Sequence, residues 1–371
     1  MDSRAENFSQ WLLHMGLTAE HLASLTSREA IPILAVYAKA VGDSFNLRSR
    51  SDLQPKSIVN YVNAAHSYLQ VASNSSIPIK TAQDNLHPII SDTISFRRKW
   101  HAPNEQRLPI TQPMFEVLHK EALQQLTDNI ATFTSLSVAV YDWERLSIFT
   151  GSRVSEYAQT NAKQGTFAKV PVCPNKNRWT GTPIAFIAED FTFLDSRLRI
   201  IPHTQLRQLS HAVHYLHLRF RYDKSSSNFV IRKFVRANHP YLCPIQAAIA
   251  IILRAQALCI HPDHPVGAYL SPRHKGHYLY IKSTQIIAIL RKACVTAYPD
   301  PAHFYRQNIS RIVAHSNRVT AAVALNNMRV SIPEIAFRLR WKEPSVSHYL
   351  RETDHNIGEL TAKAIQGALV T

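Results

Sequence analysis

Residues Phe149 to Glu156 read FTGSRVSE, and within them the pattern Gly-x-Arg-x-x-Glu sets a guanidinium one turn ahead of a carboxylate. Gly151 permits a tight break after a helix, because a residue without a Cβ enters the left-handed region at little steric cost. Arg153 can then aim a planar fork at a phosphate, and Glu156 can hold that fork or its neighbours in place. The plainer alternative is an ordinary ion pair at a helix start. Chance yields the pattern only about 0.02 times in a chain of this composition. Farther on, His315-Ser-Asn-Arg318 places an imidazole and a guanidinium on one helical face, where two donors can reach one phosphate. Alone this box is weak: about 1.4 His-x-x-Arg matches are expected by chance, and a second stands at His303 and Arg306. Position separates them. Only the 315/318 pair lies just upstream of RLRWKEPSVSHYLRE, where a helix opened by the capping box Ser331 to Glu334 ends at Trp341 and a short segment presents Tyr349.

Other chemistries find less support. On the strand predicted from HAVHYLHLRF, His214 points opposite to His211 and His217, so no metal site is expected. No Gly-x-Ser-x-Gly elbow and no phosphate-loop signature occurs. The four cysteines, at 173, 243, 259 and 294, match neither a zinc knuckle nor a disulfide scaffold, which fits a reducing, intracellular compartment. With 371 residues, 45% hydrophobic and 18% charged, the chain can bury a sizeable core in two domains, and its nine glycines are too few for glycine-cradled nucleotide folds. The N-terminus lacks the basic-then-apolar order of a signal peptide. The longest apolar stretch, Ile245 to Ile260, is cut by Gln246, Arg254 and Gln256, so no membrane span is expected. Lys plus Arg total 42 against 26 Asp plus Glu, a formal +16. A surplus of that size points to a polyanion, nucleic acid first, with a solvated basic surface as the alternative.

The elements that must carry these residues form two groups. Residues 1–107 read as a helical unit: Thr26 and Glu29 cap IPILAVYAKA, and Ile58, Tyr61, Val62, Ala65 and Leu69 share one helical face. It closes with the basic cluster Arg97, Arg98 and Lys99, a candidate DNA contact, and with HAPNEQRLPI as a linker. Residues 108–371 open on a helix from Thr111 and Pro113 and continue with one over Val138 to Phe149. FIAEDFTFL, LRIIP, HAVHYLHLRFRY and NFVIRKFV then read as strands, the last two forming a hairpin around DKSSSN. Helices return in IQAAIAIILRAQAL, in STQIIAILRKA and over Val313 to Met328. Ile357, Leu360, Ala364 and Ala368 predict a terminal amphipathic helix. The expected fold is mainly α with a small antiparallel β-sheet.

The order Arg153, His315, Arg318, Trp341, Tyr349 resembles the tyrosine recombinase, or phage-integrase-like, family over roughly residues 108–355. The preceding helical unit resembles that family's core-binding, SAM-like domain more loosely. The resemblance implies a mixed α+β catalytic domain in which Tyr349 attacks a DNA phosphodiester to form a 3′-phosphotyrosyl intermediate. Arg153, His315 and Arg318 would surround the phosphate, with Trp341 and Glu156 in support. It also implies a lysine on a β-hairpin between the two arginine boxes; Lys224 at the turn meets this, with Lys233 on the return strand as competitor. Trp341 stands where most members carry His, and Glu156 where many carry Asp. NHPYLCPIQAA, YLSPRHK and WKEPSVSHYLRE are similar to recombinases of crypton-type eukaryotic mobile elements. The expected partner is double-stranded DNA, engaged by a homo-oligomer, a tetramer on paired sites, through the terminal helix. No cofactor, metal or small-molecule substrate is expected, and localisation would be nuclear in a eukaryotic host. The rival readings are a type IB topoisomerase, an inactive DNA-binding relic and a basic scaffold protein.

Overall fold

The computed structural model describes residues 3–43, 45, 53–73, 77–81, 85–100, 106–128, 133–159, 169–171, 179–221, 229–271, 277–347 and 350. The chain divides into two units, Met1–Asn104 and Glu105–Thr371. Among the described residues no helix is long and apolar enough to cross a membrane.

In the first unit, helices α1 (Ser3–His14), α2 (Ala19–Ala23), α3 (Ser27–Gly42), α4 (Pro55–Ser73) and α5 (Pro88–Trp100) enclose one apolar cluster. Thr26 opens α3 as its sequence predicts: the Glu29 carboxylate accepts from the Thr26 backbone N–H at 2.9 Å and from its hydroxyl at 2.6 Å. The α4 face at Ile58, Val62, Ala65 and Leu69 is fully buried, as periodicity requires. Against it lie Phe8, Trp11 and Tyr37, and the Tyr37 hydroxyl donates to buried Asn7 Oδ1 at 2.8 Å, tying α3 to α1. Arg97, Arg98 and Lys99 sit on the last turns of α5, with their side chains outside what is described.

The second unit is built around α7 (Leu136–Thr150), which packs against α6 (Gln112–Asp128), α9 (Pro244–Ala257) and α12 (Ser316–Asn327). Covered on nearly every side, α7 buries even charged residues, each with a partner. Asp142 accepts from Arg145 at 2.6 Å and from Arg254 of α9. Trp143 stacks on Tyr157 and Phe186, with ring centroids 5.0 and 5.9 Å apart. The expected linker HAPNEQRLPI does not stay a linker to its end. Leu108 and Ile110 are buried in this unit's core, held by bonds from Leu108 N to Arg311 O (3.1 Å) and Ile110 N to Thr320 Oγ1 (2.7 Å).

Among the described residues there are three antiparallel sheets. Strands β1 (Lys169–Pro171) and β2 (Trp179–Pro183) pair together. Strands β3 (Phe191–Leu194), β4 (Ile200–Ile201), β5 (Tyr215–Phe220) and β6 (Val230–Val235) form a four-stranded sheet in the order β4-β3-β5-β6, after which the short α8 (Leu206–Leu209) is intercalated between β4 and β5 in sequence. β7 (Ala268–Leu270) pairs with β8 (Tyr278–Tyr280). The β5–β6 hairpin runs in register from Tyr215 opposite Val235 to Phe220 opposite Val230. Its strand begins later than HAVHYLHLRF predicts: His211 lies in a 3₁₀ turn and His214 precedes the strand, so the three histidines do not share one. The chain closes with α10 (Ser283–Ala297), α11 (Phe304–Gln307), α12, α13 (Ile332–Leu339) and α14 (Glu343–Ser347). A small separate cluster of Ala321, Ala322, Ile335, Ala336, Leu339, Trp341 and Val346 joins α12, α13 and α14.

Candidate active site

Gly151 ends α7 in the left-handed conformation, φ 56° and ψ 31°, and a Cβ there would lie 2.9 Å from Leu339 Cδ2 of α13. Glycine is therefore favoured twice over, by backbone and by space. Its αL turn directs the chain so that Arg153 opens a single 3₁₀ turn, Val154–Glu156. The Arg153 backbone N–H donates to Glu156 Oε2 at 2.8 Å, and its Nη1 lies 3.4 Å from Glu156 Oε1. Arg153 keeps 27% of its side chain exposed, whereas Glu156 is buried. The spacing of the Gly-x-Arg-x-x-Glu motif thus becomes a local geometry in which the carboxylate fixes the arginine's backbone and lies within reach of its side chain.

His315 stands immediately before α12, and Arg318 is one turn into it. Arg318 is only 6% exposed, donates from Nη1 to the Gly151 carbonyl at 2.9 Å, and lies with its Cζ 4.3 Å from the Trp341 ring centroid. The first arginine box and the His-x-x-Arg box are therefore joined directly. Half-buried His315 has its pKa pushed down to about 3, by burial first and then by the positive charges of Arg318, Arg107 and Arg153. Its imidazole is neutral at physiological pH, and the guanidiniums that keep it so mark a concentration of positive potential.

Trp341 comes from the segment after α13. The capping box predicted at Ser331 forms, with Ser331 N donating to Glu334 Oε2 at 3.1 Å. The helix stops at Leu339 rather than reaching Trp341, because Arg340 turns left-handed, φ 58° and ψ 46°. Arg340 is the residue that sequence patterns missed. Its guanidinium binds Glu156 with both nitrogens, Nη1 to Oε1 at 3.2 Å and Nη2 to Oε2 at 3.0 Å, and covers the Phe220 ring at 3.4 Å. An arginine where a helix ordinarily ends on glycine or asparagine is the only trace of this in the sequence.

The same end of α13 is fastened to the β5–β6 hairpin. Arg232 stacks on Phe337 at 4.3 Å and donates to its carbonyl at 2.9 Å, while Arg338 stacks on Phe234 at 4.3 Å and donates to Lys233 O at 2.9 Å. At the other end of β5, Arg219 and Arg221 grip buried Asp190 at 3.0 and 2.7 Å. Because strand residues alternate faces, Lys233 projects oppositely to Arg232 and Phe234, away from α13; it is exposed and opposite His217. Lys224 falls in the hairpin connection, outside the described residues, as do Tyr349 and the predicted terminal helix. His303 and Arg306 interact elsewhere: His303 stacks on Tyr298 at 4.1 Å, and Arg306 Nη1 reaches Val295 O at 3.5 Å. Among the described residues no group of three His, Cys, Asp or Glu could hold a metal ion.

Beneath the site lies a buried polar cluster that the sequence did not signal. Glu144 is fully buried, its Oε1 3.5 Å from the Tyr157 hydroxyl, which also receives Asn317 Nδ2 at 3.5 Å. Burial pushes the Glu144 carboxyl up to about 8, against the opposing hydrogen bonds from Asn317 and Tyr157. A protonated carboxyl next to Asn317 lets α12 start there without a buried negative charge.

No family model and no curated protein matches the chain. Among solved structures it is similar to the crystal structure of XerA recombinase, at 11% identity and a TM-score of 0.36, with 98% of each chain covered. It is also similar to the Tn1549 transposon integrase in complex with circular intermediate DNA, at 11% identity and a TM-score of 0.42, covering 97% of this chain and 99% of that one. The same integrase in complex with transposon right end DNA gives 11% identity and a TM-score of 0.41, with 99% of each chain covered.

Proposed function

We propose that the chain is a DNA strand transferase of the recombinase type, which cleaves a phosphodiester with Tyr349 and rejoins the ends through a 3′-phosphotyrosyl intermediate. The observation that carries this reading is the convergence of Arg153, His315 and Arg318 from separate segments, with Arg318 bonded to Gly151 and the imidazole held neutral partly by both arginines. A phosphodiester repels nucleophiles, and its pentacoordinate state concentrates negative charge on equatorial oxygens. Fixed guanidiniums stabilise that charge most effectively where water is partly excluded, as it is around Arg318. Entry of the phosphate would relieve the repulsion at His315, so DNA binding and proton uptake by the imidazole should be linked.

Tyr349 follows α14 by two residues, close in sequence to Trp341, whose ring covers Arg318. Lys224, at the turn of the hairpin clamped to α13, would protonate the leaving 5′ oxygen. Bond energy is conserved in the tyrosyl ester, so the cycle needs neither nucleotide nor metal. The basic surplus, with Arg97, Arg98 and Lys99 on the first unit, supplies affinity for the duplex. Assembly of several protomers on paired sites would run through the terminal segment, residues 356–371.

The test is incubation with duplex DNA carrying the termini of the surrounding element, followed by detergent and electrophoresis. The wild type should yield a protein–DNA adduct sensitive to protease, and Tyr349→Phe should yield none while binding the duplex normally. Unimpaired binding without any wild-type adduct would overturn the strand-transfer reading in favour of a DNA-binding relic.

A further inference from the structure

Arg340 occupies a conformation that favours glycine, with φ at 58°, yet sends a charged side chain inward until it is 5% exposed. Such a placement needs compensation, and the structure supplies it twice: the Phe220 face at 3.4 Å, and a forked pair of bonds to buried Glu156 at 3.0 and 3.2 Å. Glu156 is thereby shared between two guanidiniums on unequal terms. Arg340 takes both oxygens at short range, while the Arg153 side chain has the longer 3.4 Å contact to Oε1. One carboxylate cannot neutralise two cations. We propose that Arg340 is a positioning residue: by satisfying Glu156, it prevents that carboxylate from drawing the Arg153 guanidinium inward and leaves it aimed at the DNA phosphate. The inference rests on the reading of Arg153 as a phosphate ligand.

The connectivity adds a second consequence. Arg340 is bonded through the chain to Trp341, whose ring lies against Arg318, and Arg318 bonds the Gly151 carbonyl two residues before Arg153. Glu156, Arg340, Trp341, Arg318 and Gly151 therefore close a circuit back on Arg153, so that the two phosphate-facing arginines are set against each other rather than separately. Arg340 is buried, and its proposed action runs through Glu156 and Trp341.

Suppression distinguishes this role from a merely structural one. Arg340→Gly suits the left-handed backbone and leaves Glu156 as an unmatched carboxylate; single-turnover adduct formation should fall by about 10- to 100-fold with DNA affinity nearly unchanged. Adding Glu156→Gln removes the carboxylate that captures Arg153, and the double variant should regain most of the lost rate. Arg340→Gln, closer in length, repeats the test should the glycine variant fail to fold. A double variant no faster than its Arg340 parent, in both backgrounds, overturns the proposal. The Arg153 Nε–H resonance, titrated with inorganic phosphate, separates this from the parent reading. A shift in the wild type and the double variant but not in Arg340→Gln supports positioning even when no adduct forms, and equal shifts in all three overturn it.

Discussion

The buried carboxyl of Glu144 makes the stability of the second unit depend on pH in a predictable direction. An ordinary glutamate titrates near 4.5, and burial lifts Glu144 to about 8. Between those values the unfolded chain is ionised while the folded chain keeps its proton, so stability is full at low pH and is lost as pH rises through the folded value. At about 1.4 kcal/mol per pH unit, the whole interval is worth about 5 kcal/mol. His315 has the opposite sign: its pKa is pushed down to about 3 from 6.5, so its contribution is lost as pH falls below 6.5. Between pH 4.5 and 6.5 the Glu144 slope is opposed by that of His315, to which His119 and His217, also pushed down by burial, add; from 6.5 to 8 the Glu144 slope stands without theirs, and about 2 kcal/mol should disappear. Glu144→Gln removes this titration while retaining an oxygen and an amide for Tyr157 and Asn317. Urea unfolding of the full chain, followed through amide protection of α7, should show wild-type stability declining over pH 6.5–8 and the variant holding level. Below pH 6.5 the variant should lose stability on acidification, with the combined slope of His315, His119 and His217 exposed. Equal decline in both proteins above pH 6.5 would refute the assignment of a proton to Glu144.

Gly151→Ala should destabilise the second unit by about 2–4 kcal/mol, combining a left-handed alanine with overpacking against Leu339. Because the Gly151 carbonyl holds Arg318, adduct formation should drop further than the loss of folded protein explains, measurable by comparing thermal unfolding with single-turnover rates. Lys224→Ala should slow cleavage strongly, and a substrate with a better leaving group at the 5′ position should restore the rate; Lys233→Ala should do neither, since its side chain faces away from α13. Removing residues 356–371 should leave single-site DNA binding intact and abolish pairing of two sites in a gel-shift assay; a truncated protein that still pairs them would remove that segment from assembly.

Local signals were legible wherever a short-range physical rule fixed them. Thr26 with Glu29 and Ser331 with Glu334 form their caps, and Ile58, Val62, Ala65 and Leu69 are buried on one face. The β5–β6 pair follows its alternating, β-branched sequence. The strands β1, β2, β7 and β8 escaped notice because they are short and lack sustained alternation. At the site, Arg153, His315, Arg318 and Trp341 were picked out by the resemblance of their order to the tyrosine recombinase family, since the boxes taken singly are weak signals; Arg318 does meet the Gly151 carbonyl and the Trp341 ring. Arg340 could not be picked out, since its role depends on a backbone angle and a partner 184 residues away in sequence. Glu144 was equally hidden: it occupies a helix interior like many solvent-facing glutamates, and only the packing of α9 and α12 around α7 makes it a buried acid.

The ion pairs inside the second unit also determine where the chain's charge resides. Its buried ionisable side chains comprise five acids, Asp142, Glu144, Glu156, Asp190 and Asp195, and five bases, Arg145, Arg221, Arg254, Arg318 and Arg340, among the described residues. Formally these ten sum to zero, so the described interior carries none of the chain's +16. Protonation of Glu144 alters the interior and leaves that surplus untouched. Toward its surroundings the described interior is formally neutral, and the chain as a whole is a polycation. Ionic strength should act on the counterions around that polycation while scarcely weakening the desolvated arginines within, which separates the salt sensitivity of any encounter with a polyanion from the integrity of the buried ion-pair framework.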